Sequence, residues 1–306
     1  MSRVTFSPDG RNVVVWSDAG KITNWDLATG ELVHEHVSSK TIVDIVSFLQ
    51  HGRSRALLKD DQARFYVWDF ASQKDPLQVP SPPGFGFFQD VPQANDTERF
   101  ALIAVSPDGT TLAGGSAGSP DRKRMIRLWK LEQGKSLTEL ESLRDLPREM
   151  GEIKWLRFTA DGSKLIVICR NENQPNDNPP RKTHAVYVWE VATGRPLQYF
   201  ACSDVVSQGT NRAAAMSPQG SILAIGSSDK SMHIYDLTTG KSLGQIKCLD
   251  VLHSLAFSAD GKWLVSGGRS RIVRLWNVAT RKEEKKFRGH RSWIESVAIS
   301  PDGRTI

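Results

Sequence analysis

Short apolar runs, each ended by turn residues, recur along the whole chain and are clearest between Val251 and Gly303. Within that stretch, four runs of four to seven residues are rich in Val, Leu, Ile, Phe and Trp. Runs of this length predict β-strands, because a helix needs roughly ten or more residues to form. Asp260 and Gly261 lie between the first two runs and predict a tight hairpin turn, since Gly tolerates a positive φ. We therefore predict a four-stranded antiparallel sheet.

The same unit recurs along the chain, as two series of residues indicate. A glycine follows the first run of each unit, at Gly10, Gly52, Gly109, Gly162, Gly220, Gly261 and Gly303. An aromatic residue closes the third run, at Trp25, Trp68, Trp129, Trp189, Tyr235 and Trp276. Where nothing is inserted, successive units are 41 to 43 residues apart. A period of about 40 to 45 residues is typical of the blades of a β-propeller.

The motifs of the unit resemble those of the WD-repeat family. The tetrapeptide SPDG occurs at residues 7–10, 106–109 and 300–303. The third run ends in Trp-Asp at residues 25–26 and 68–69, and Gly-His precedes the last unit at residues 289–290. The phrasing of the repeats is also similar to long bacterial WD-repeat arrays, which can be fused to kinase or other effector domains. The resemblance covers essentially the whole chain and implies a β-propeller.

We predict an all-β fold in which residues 1–306 form a single propeller domain of four-stranded antiparallel blades. Six complete blades are expected at residues 4–36, 42–79, 100–140, 153–200, 212–246 and 251–287. A partial seventh blade is expected at residues 293–306, with its first strand at 293–300. Its unfinished edge is expected to invite association with another chain, because unpaired strand edges do so.

Composition narrows the class of protein only modestly. A net charge of +6 on 306 residues argues against an extended nucleic-acid surface. The cysteines Cys169, Cys202 and Cys248 have no paired spacing, which predicts neither a disulfide framework nor a zinc ribbon. No signal peptide precedes the first run, and no apolar run approaches the roughly 20 residues of a membrane span. We expect a cytoplasmic protein with neither membrane nor nucleic acid as its partner.

Four lengthened connections cluster in the second, third and fourth units, at residues 76–98, 118–124, 141–151 and 170–184. In an antiparallel blade, the loops between the second and third strands lie on the same face as the crossovers between blades. All four insertions are therefore predicted to crown one face, as a rim of the kind that often holds binding residues. The candidate partner-binding residues in this rim are Phe85, Phe87, Phe88, Arg122, Lys123, Arg124, Arg181 and Lys182. The alternative is that the three Phe side chains pack back onto the propeller.

Arg157 is a further candidate, because it breaks a pattern in the first strands. The equivalent position of the other units holds a small residue: Thr5, Ser47, Ala104, Ala215, Ala256 and Ala298. Small side chains suit a place where blades converge near the axis. A guanidinium there either extends into a water-filled channel or pairs with a carboxylate. Arg157 accordingly has either a structural role or a role in a binding site.

The sixth unit is strongly basic, with nine Lys and Arg between residues 269 and 291 against Glu283 and Glu284. The simplest interpretation is a solvated outer strand. An acidic protein surface is the next interpretation. Nucleic acid is the least favoured, because no aromatic platform interleaves the charges.

No catalytic motif is visible, since the chain lacks Gly-x-Ser-x-Gly, His-Glu-x-x-His and a phosphate-binding glycine loop. We therefore predict no catalytic, cofactor-binding or metal-binding residues. The resemblance to WD-repeat proteins implies a non-catalytic protein-interaction scaffold or regulatory domain, part of a larger protein, whose partners are other proteins. The alternative is a small-molecule-binding or hydrolytic propeller with its site at the mouth of the central channel.

Overall fold

The chain is described by a computed structural model covering residues 2–7, 10–17, 21–37, 42–49, 55–60, 65–69, 77–79, 103–115, 126–130, 138–142, 152–171, 183–202, 205 and 213–306. These residues form six four-stranded antiparallel sheets, and within each sheet the strands pair in chain order. The predicted all-β propeller of small antiparallel sheets is confirmed.

The first three sheets are built from short strands. The first contains β1 (Ser2–Phe6), β2 (Asn12–Ser17), β3 (Lys21–Asp26) and β4 (Leu32–Val37). The second contains β5 (Ile42–Leu49), β6 (Arg55–Asp60), β7 (Phe65–Asp69) and β8 (Leu77–Val79). The third contains β9 (Ile103–Val105), β10 (Thr111–Gly115), β11 (Ile126–Lys130) and β12 (Thr138–Ser142).

The last three sheets repeat the arrangement. The fourth contains β13 (Glu152–Phe158), β14 (Lys164–Asn171), β15 (Thr183–Glu190) and β16 (Pro196–Cys202). The fifth contains β17 (Ala214–Met216), β18 (Ile222–Gly226), β19 (Ser231–Asp236) and β20 (Ser242–Lys247). The sixth contains β21 (Leu252–Phe257), β22 (Trp263–Gly268), β23 (Val273–Asn277) and β24 (Glu283–Phe287).

In several of the described sheets, a recurring hydrogen-bond motif holds the turn after the first strand. In the third sheet, the Ser106 hydroxyl donates to the Asp108 carboxylate at 2.5 Å and accepts from the Thr111 amide at 2.8 Å. Gly109 closes this turn with a φ of 72°, a conformation that costs Gly little. The hydroxyl–carboxylate pair recurs at Thr159 and Asp161, Ser258 and Asp260, and Ser300 and Asp302. The repeated tetrapeptide therefore stabilises hairpin turns through side-chain hydrogen bonds.

The hydrophobic core lies between neighbouring sheets. One cluster joins the third and fourth sheets through Ala104, Leu128, Leu156 and Trp189. A second joins the fourth and fifth through Trp155, Val186, Leu223 and Tyr235. A third joins the fifth and sixth through Ala213, Ile234, Leu252 and Trp276. The fourth and fifth sheets therefore bury side chains on both of their faces.

Residues 293–300, predicted to be a strand, are not a regular strand, although all of them are described. Their backbone donors go to scattered acceptors instead of a ladder. The Ile294 amide donates to the Gly268 carbonyl at 2.9 Å, and the Val297 amide donates to the Ser254 hydroxyl at 3.1 Å. Single contacts of this kind attach the segment to the sixth sheet without making it part of that sheet.

The same segment reaches the first sheet. The Ser296 hydroxyl lies 3.5 Å from the Val4 carbonyl oxygen. A Cβ placed on Gly10 would come within 3.0 Å of Pro301 Cδ, so these two residues are in close packing. Residues 294–301 consequently contact both the sixth and the first sheet. We call residues 293–305 the closing segment.

Candidate functional site

Of the nine predicted partner-binding residues, only Arg157 falls within the described part of the chain. The other eight lie outside the described residues: Phe85, Phe87, Phe88, Arg122, Lys123, Arg124, Arg181 and Lys182. Their place in a binding rim stays a prediction.

The predicted bounds of three insertions were too wide. Arg170 pairs with His184, and Asn171 pairs with Thr183, so β14 and β15 extend into the predicted loop 170–184. Residues 77–79 of the insertion at 76–98 and residues 141–142 of the insertion at 141–151 likewise belong to β8 and β12. A ladder is held by backbone hydrogen bonds, so polar side chains at a strand end do not stop it.

Arg157 occupies the position that the repeat alignment assigned to it. It pairs with Ile166, at the same step of the ladder as Ala104 with Ala113 and Ala215 with Ala224. Ala104 and Ala215 are buried, whereas Arg157 is exposed.

The guanidinium of Arg157 remains close to its own strand. It donates to the Leu156 carbonyl at 2.9 Å and lies 5.8 Å from the centre of the Trp155 ring. These contacts orient the cation beside a buried aromatic residue, a suitable arrangement for a partner carboxylate.

A second group of side chains, which the sequence analysis did not single out, surrounds Trp293. This indole is 53% exposed, although large aromatic side chains are usually well buried. The Arg269 guanidinium lies 5.1 Å from the centre of its ring, and the His253 ring meets it edge-on at 5.7 Å. The Glu295 carboxylate lies 3.8 Å from Nδ1 of His253. We call Trp293, Arg269, His253 and Glu295 the Trp293 cluster.

Backbone hydrogen bonds connect the segments that carry this cluster. The Leu249 amide donates to the Lys230 carbonyl at 3.1 Å, which joins the crossover after β20 to the turn before β19. The Arg269 amide donates to the Val251 carbonyl at 3.2 Å, which joins that crossover to the turn after β22. Since the Ile294 amide bonds Gly268, the closing segment continues the series. The cluster is therefore part of one continuous surface on the face that carries crossovers and second-to-third-strand turns.

A buried ion pair holds the turn beside the cluster in place. Both carboxylate oxygens of Asp250 accept from Ser270, from its amide at 2.9 Å and from its hydroxyl at 2.5 Å. The Arg274 guanidinium lies 3.6 Å from Asp250 and 3.1 Å from Glu283. Asp250 and Arg274 are almost fully buried. These contacts fix the turn that carries Arg269. Because Asp250 and Arg274 are buried, a partner would have little access to them.

Ser231, His233 and Asp229 have the composition of a hydrolytic triad but not its geometry. Asp229 accepts from the Ser231 hydroxyl at 2.5 Å, and that hydroxyl is also 2.9 Å from Nε2 of His233. In a triad the carboxylate instead holds the other imidazole nitrogen and orients the ring. Ser231 and His233 are both buried, so a substrate has no access to them. The group fixes the turn before β19.

The hydrogen bonds of this group also act on the charge of Asp229. Burial raises the pKa of its carboxyl, but hydrogen bonds from Ser231 and Ser227 outweigh burial and place the pKa below its ordinary value. Asp229 is therefore a stable anion that accepts hydrogen bonds within its own turn.

Metal and membrane sites were sought in the part of the chain that the structure describes. There, no group of three or more His, Cys, Asp and Glu side chains could hold a metal ion. None of the described residues form a helix with the length and apolar character needed to cross a bilayer. Cys169, Cys202 and Cys248 are all buried, and none of them forms a disulfide within the described residues.

The surface around Trp293 lies within a region that matches a known family. The family model described as WD40, "WD domain, G-beta repeat", matches residues 240–277 and 281–306. These two segments are therefore similar to WD40 repeats. Leu249, Arg269 and the closing segment all fall inside them.

Three curated relatives are similar to parts of this chain. "Nuclear distribution protein nudF" of Aspergillus niger is 27% identical over 212 residues, which are 67% of this chain and 41% of the relative. "Nuclear distribution protein PAC1" of Coccidioides posadasii is 39% identical over 90 residues, 29% of this chain and 19% of the relative. "Autophagy-related protein 16" of Arabidopsis thaliana is 22% identical over 212 residues, 67% of this chain and 35% of the relative. The chain spans less than half the length of each.

The exposure of Trp293 had one signal in the sequence. When the first runs of the last two units are aligned on Ala256 and Ala298, Trp293 falls opposite Val251. Residue 293 lies at the edge of the run, directly after a polar crossover. A large apolar side chain is not needed at this position to start a strand. The alignment could therefore have marked Trp293 as unusual.

Proposed function

We propose that this chain is a non-catalytic protein-interaction scaffold or regulatory domain, and that it acts as part of a larger protein. One observation carries the proposal: the half-exposed Trp293 lies beside Arg269 on the loop-bearing face of WD40 repeats. Trp and Arg are enriched among the residues that dominate the binding energy of protein interfaces.

The predicted rim contributes a second part of the same binding face. Phe85, Phe87 and Phe88 would supply apolar anchors, and Arg157 would supply a cation that is already held next to Trp155. The rim cations Arg122, Lys123, Arg124, Arg181 and Lys182 complete this part of the proposal. The rim is predicted to lie on the same face as the Trp293 cluster, so one partner would contact both.

We also propose the finer architecture. The closing segment acts as a seventh, partial sector between the sixth and the first sheet, and residues 1–306 make one propeller domain. Its contacts with Gly268 and Val4 support this placement. A cytoplasmic location and a bacterial type of repeat array are likewise proposals, as is the absence of nucleic-acid and membrane partners.

The test is co-purification of the tagged chain with proteins from an extract of its native source. A partner that remains bound through size-exclusion chromatography at a fixed stoichiometry is the expected result. Tyr199 is 53% exposed on an outer strand. A Tyr199→Ala variant is therefore the matched control for Trp293→Ala, because both variants lose an exposed aromatic ring. Elution of the chain alone, combined with turnover of a hydrolase substrate panel, would contradict the proposal and favour the enzymatic alternative.

A further inference from the structure

We propose that the Trp293 cluster and the crossover residue Leu249 form a docking site for an acidic peptide segment that carries one aliphatic or aromatic anchor. The inference rests on the proposed binding function and adds the chemistry of the partner.

Leu249 is the first indication of an apolar contact. Its side chain is 79% exposed, and its backbone φ is 56°. A non-glycine residue in the left-handed region is conformationally strained, and an exposed Leu gains no burial that would offset this strain. Strained conformations of this kind cluster at functional sites. Leu249 and Trp293 together give the surface two apolar contact points on segments joined through the turn at residues 268–271.

The charge around these contact points is positive. Within the described stretch 228–295, the crossovers and second-to-third-strand turns of this face bear five exposed cations: Lys230, Arg269, Arg271, Arg288 and Arg291. Against them stand two exposed carboxylates, Asp229 and Glu295. Asp229 already accepts hydrogen bonds from Ser231 in its own turn. An approaching acidic segment is therefore attracted to this face, and such attraction raises the association rate.

Arg269 is suited to bind a carboxylate while it contacts Trp293. Its contact is with the ring of the indole, and such a contact does not use up the N–H donors of a guanidinium. The planar fork of donors matches the two oxygens of a carboxylate. Acidic and apolar side chains placed near one another on a peptide would thus engage Arg269 and Trp293 together.

Glu295 favours a peptide over nucleic acid as the occupant. Its carboxylate lies 3.8 Å from His253, within the cluster and close to the indole. A base stacked on Trp293 would bring its phosphates near this anion, and phosphates carry the bulk of nucleic-acid affinity. A peptide can instead direct its acidic side chains toward Arg269 and Arg271.

The test is selection of short random peptides displayed on phage against the purified full chain. The expected result is enrichment of peptides in which Asp or Glu flank one Leu, Ile, Phe or Trp. Binding of a synthesised winner should weaken by about tenfold or more in Trp293→Ala and in Arg269→Glu, as for central anchors of an interface. Added salt should weaken binding to the wild-type chain through screening.

Two matched controls accompany these variants. Tyr199→Ala removes an equally exposed aromatic ring from an outer strand, and Lys282→Glu reverses an exposed cation at the turn between β23 and β24. Both should leave the affinity within about twofold of the wild type, a difference below 0.5 kcal/mol. Thermal melting of all variants shows whether each one is folded, and Trp293→Phe should retain most of the affinity.

Every other outcome overturns the inference. Enrichment of basic or neutral peptides would contradict the acidic character proposed for the partner. Selected peptides that bind Trp293→Ala and Arg269→Glu with wild-type affinity would contradict the proposed site. A single-stranded oligonucleotide that competes with the peptide at equal affinity would identify nucleic acid as the occupant. If no peptide is enriched while co-purification still yields a stoichiometric protein partner, the docking site fails and the scaffold function stands. If neither assay yields a binder, both fail.

Discussion

Gly267 packs directly against Ile294, and a Cβ built on this glycine would overlap the side chain of Ile294 and approach Val297 Cγ1 to 2.9 Å. Ile294 is buried in a small cluster with Val265 and Val273. The absence of a side chain at residue 267 is therefore what lets the closing segment lie on the sixth sheet.

A Gly267→Ala variant should lose about 1 to 3 kcal/mol of unfolding free energy, because an added methyl overpacks the contact with Ile294. Urea denaturation measures the change. Gly30→Ala is the control, since Gly30 has a left-handed φ of 72° but no atom near its missing Cβ. It should be destabilised through its backbone alone, with unaltered peptide binding at the Trp293 cluster. A Gly267→Ala protein as stable as the wild type would contradict the close packing.

Removal of the Asp250 side chain should destabilise the fold by about 2 to 4 kcal/mol, because the buried Arg274 guanidinium would lose one of its two carboxylate partners and keep Glu283. The amide of Ser270 would also lose its acceptor. The measurement is equilibrium unfolding of Asp250→Ala against Glu284→Ala, which removes an exposed carboxylate. A loss below about 0.5 kcal/mol, as is usual at the surface, would show that the pair adds little.

Stability should fall with acid in the range where the turn aspartates titrate. Hydrogen bonds from the Thr159 hydroxyl and from the hydroxyl and amide of Ser163 lower the pKa of Asp161 from 3.8 to about 2. The folded pKa lies below the unfolded one, so its contribution is complete above about pH 5 and disappears as the pH falls toward 2.

The comparison is the melting temperature of the wild type and of Asp161→Asn across this pH range. The difference in melting temperature between the two proteins should be constant above about pH 5 and should approach zero toward pH 2. Since Asp108, Asp260 and Asp302 titrate in both proteins, their effects cancel. A gap that does not change with pH would mean that the charge of Asp161 is not what stabilises the turn.

Cys248 should not react with thiol reagents in the folded protein. Burial raises the pKa of its thiol to about 12, and the thiolate is the reactive form. Alkylation at pH 8 followed by peptide mass spectrometry should leave Cys248 unmodified until denaturant is added. Modification at the rate of an exposed thiol would show that the region between β20 and β21 opens frequently.

The rim is tested by replacing Phe85, Phe87 and Phe88 with Ser. Partner binding should weaken by more than about 1 kcal/mol, as expected for aromatic anchors. Charge reversal at Lys285 and Lys286 should mainly change the association rate and its salt dependence. A triple variant that folds and binds the co-purified partner normally would reject the rim.

The spacing of turn glycines and aromatic residues was enough to predict the sheets, because each hairpin is a local structure. Gly109 and Gly261 have φ values of 72° and 73°, as the Asp-Gly turns require. Trp129, Trp189 and Trp276 are buried at the third-strand position. Trp25, at the same position of the repeat, is 39% exposed. Burial depends on the neighbouring sheet, which the repeat itself does not specify.

The Trp293 cluster could not be predicted for a related reason. Its members come from strand β21, the turn after β22 and the closing segment, and they meet only when the sixth sheet has formed. Arg269 was interpreted as one cation of a solvated basic unit, whereas its contact with Trp293 depends on the bond from Ile294 to Gly268. Side chains brought together by tertiary packing leave no periodic signal in the sequence.

The contact between Ser296 and Val4 joins residues 292 positions apart, whereas the hydrogen bonds within each sheet join near neighbours. Closing such a long loop costs chain entropy that only completed neighbours can offset. Folding should therefore proceed sheet by sheet, with this junction formed late. Transient openings should start there as well, which makes the junction a kinetic weak point of an otherwise local fold.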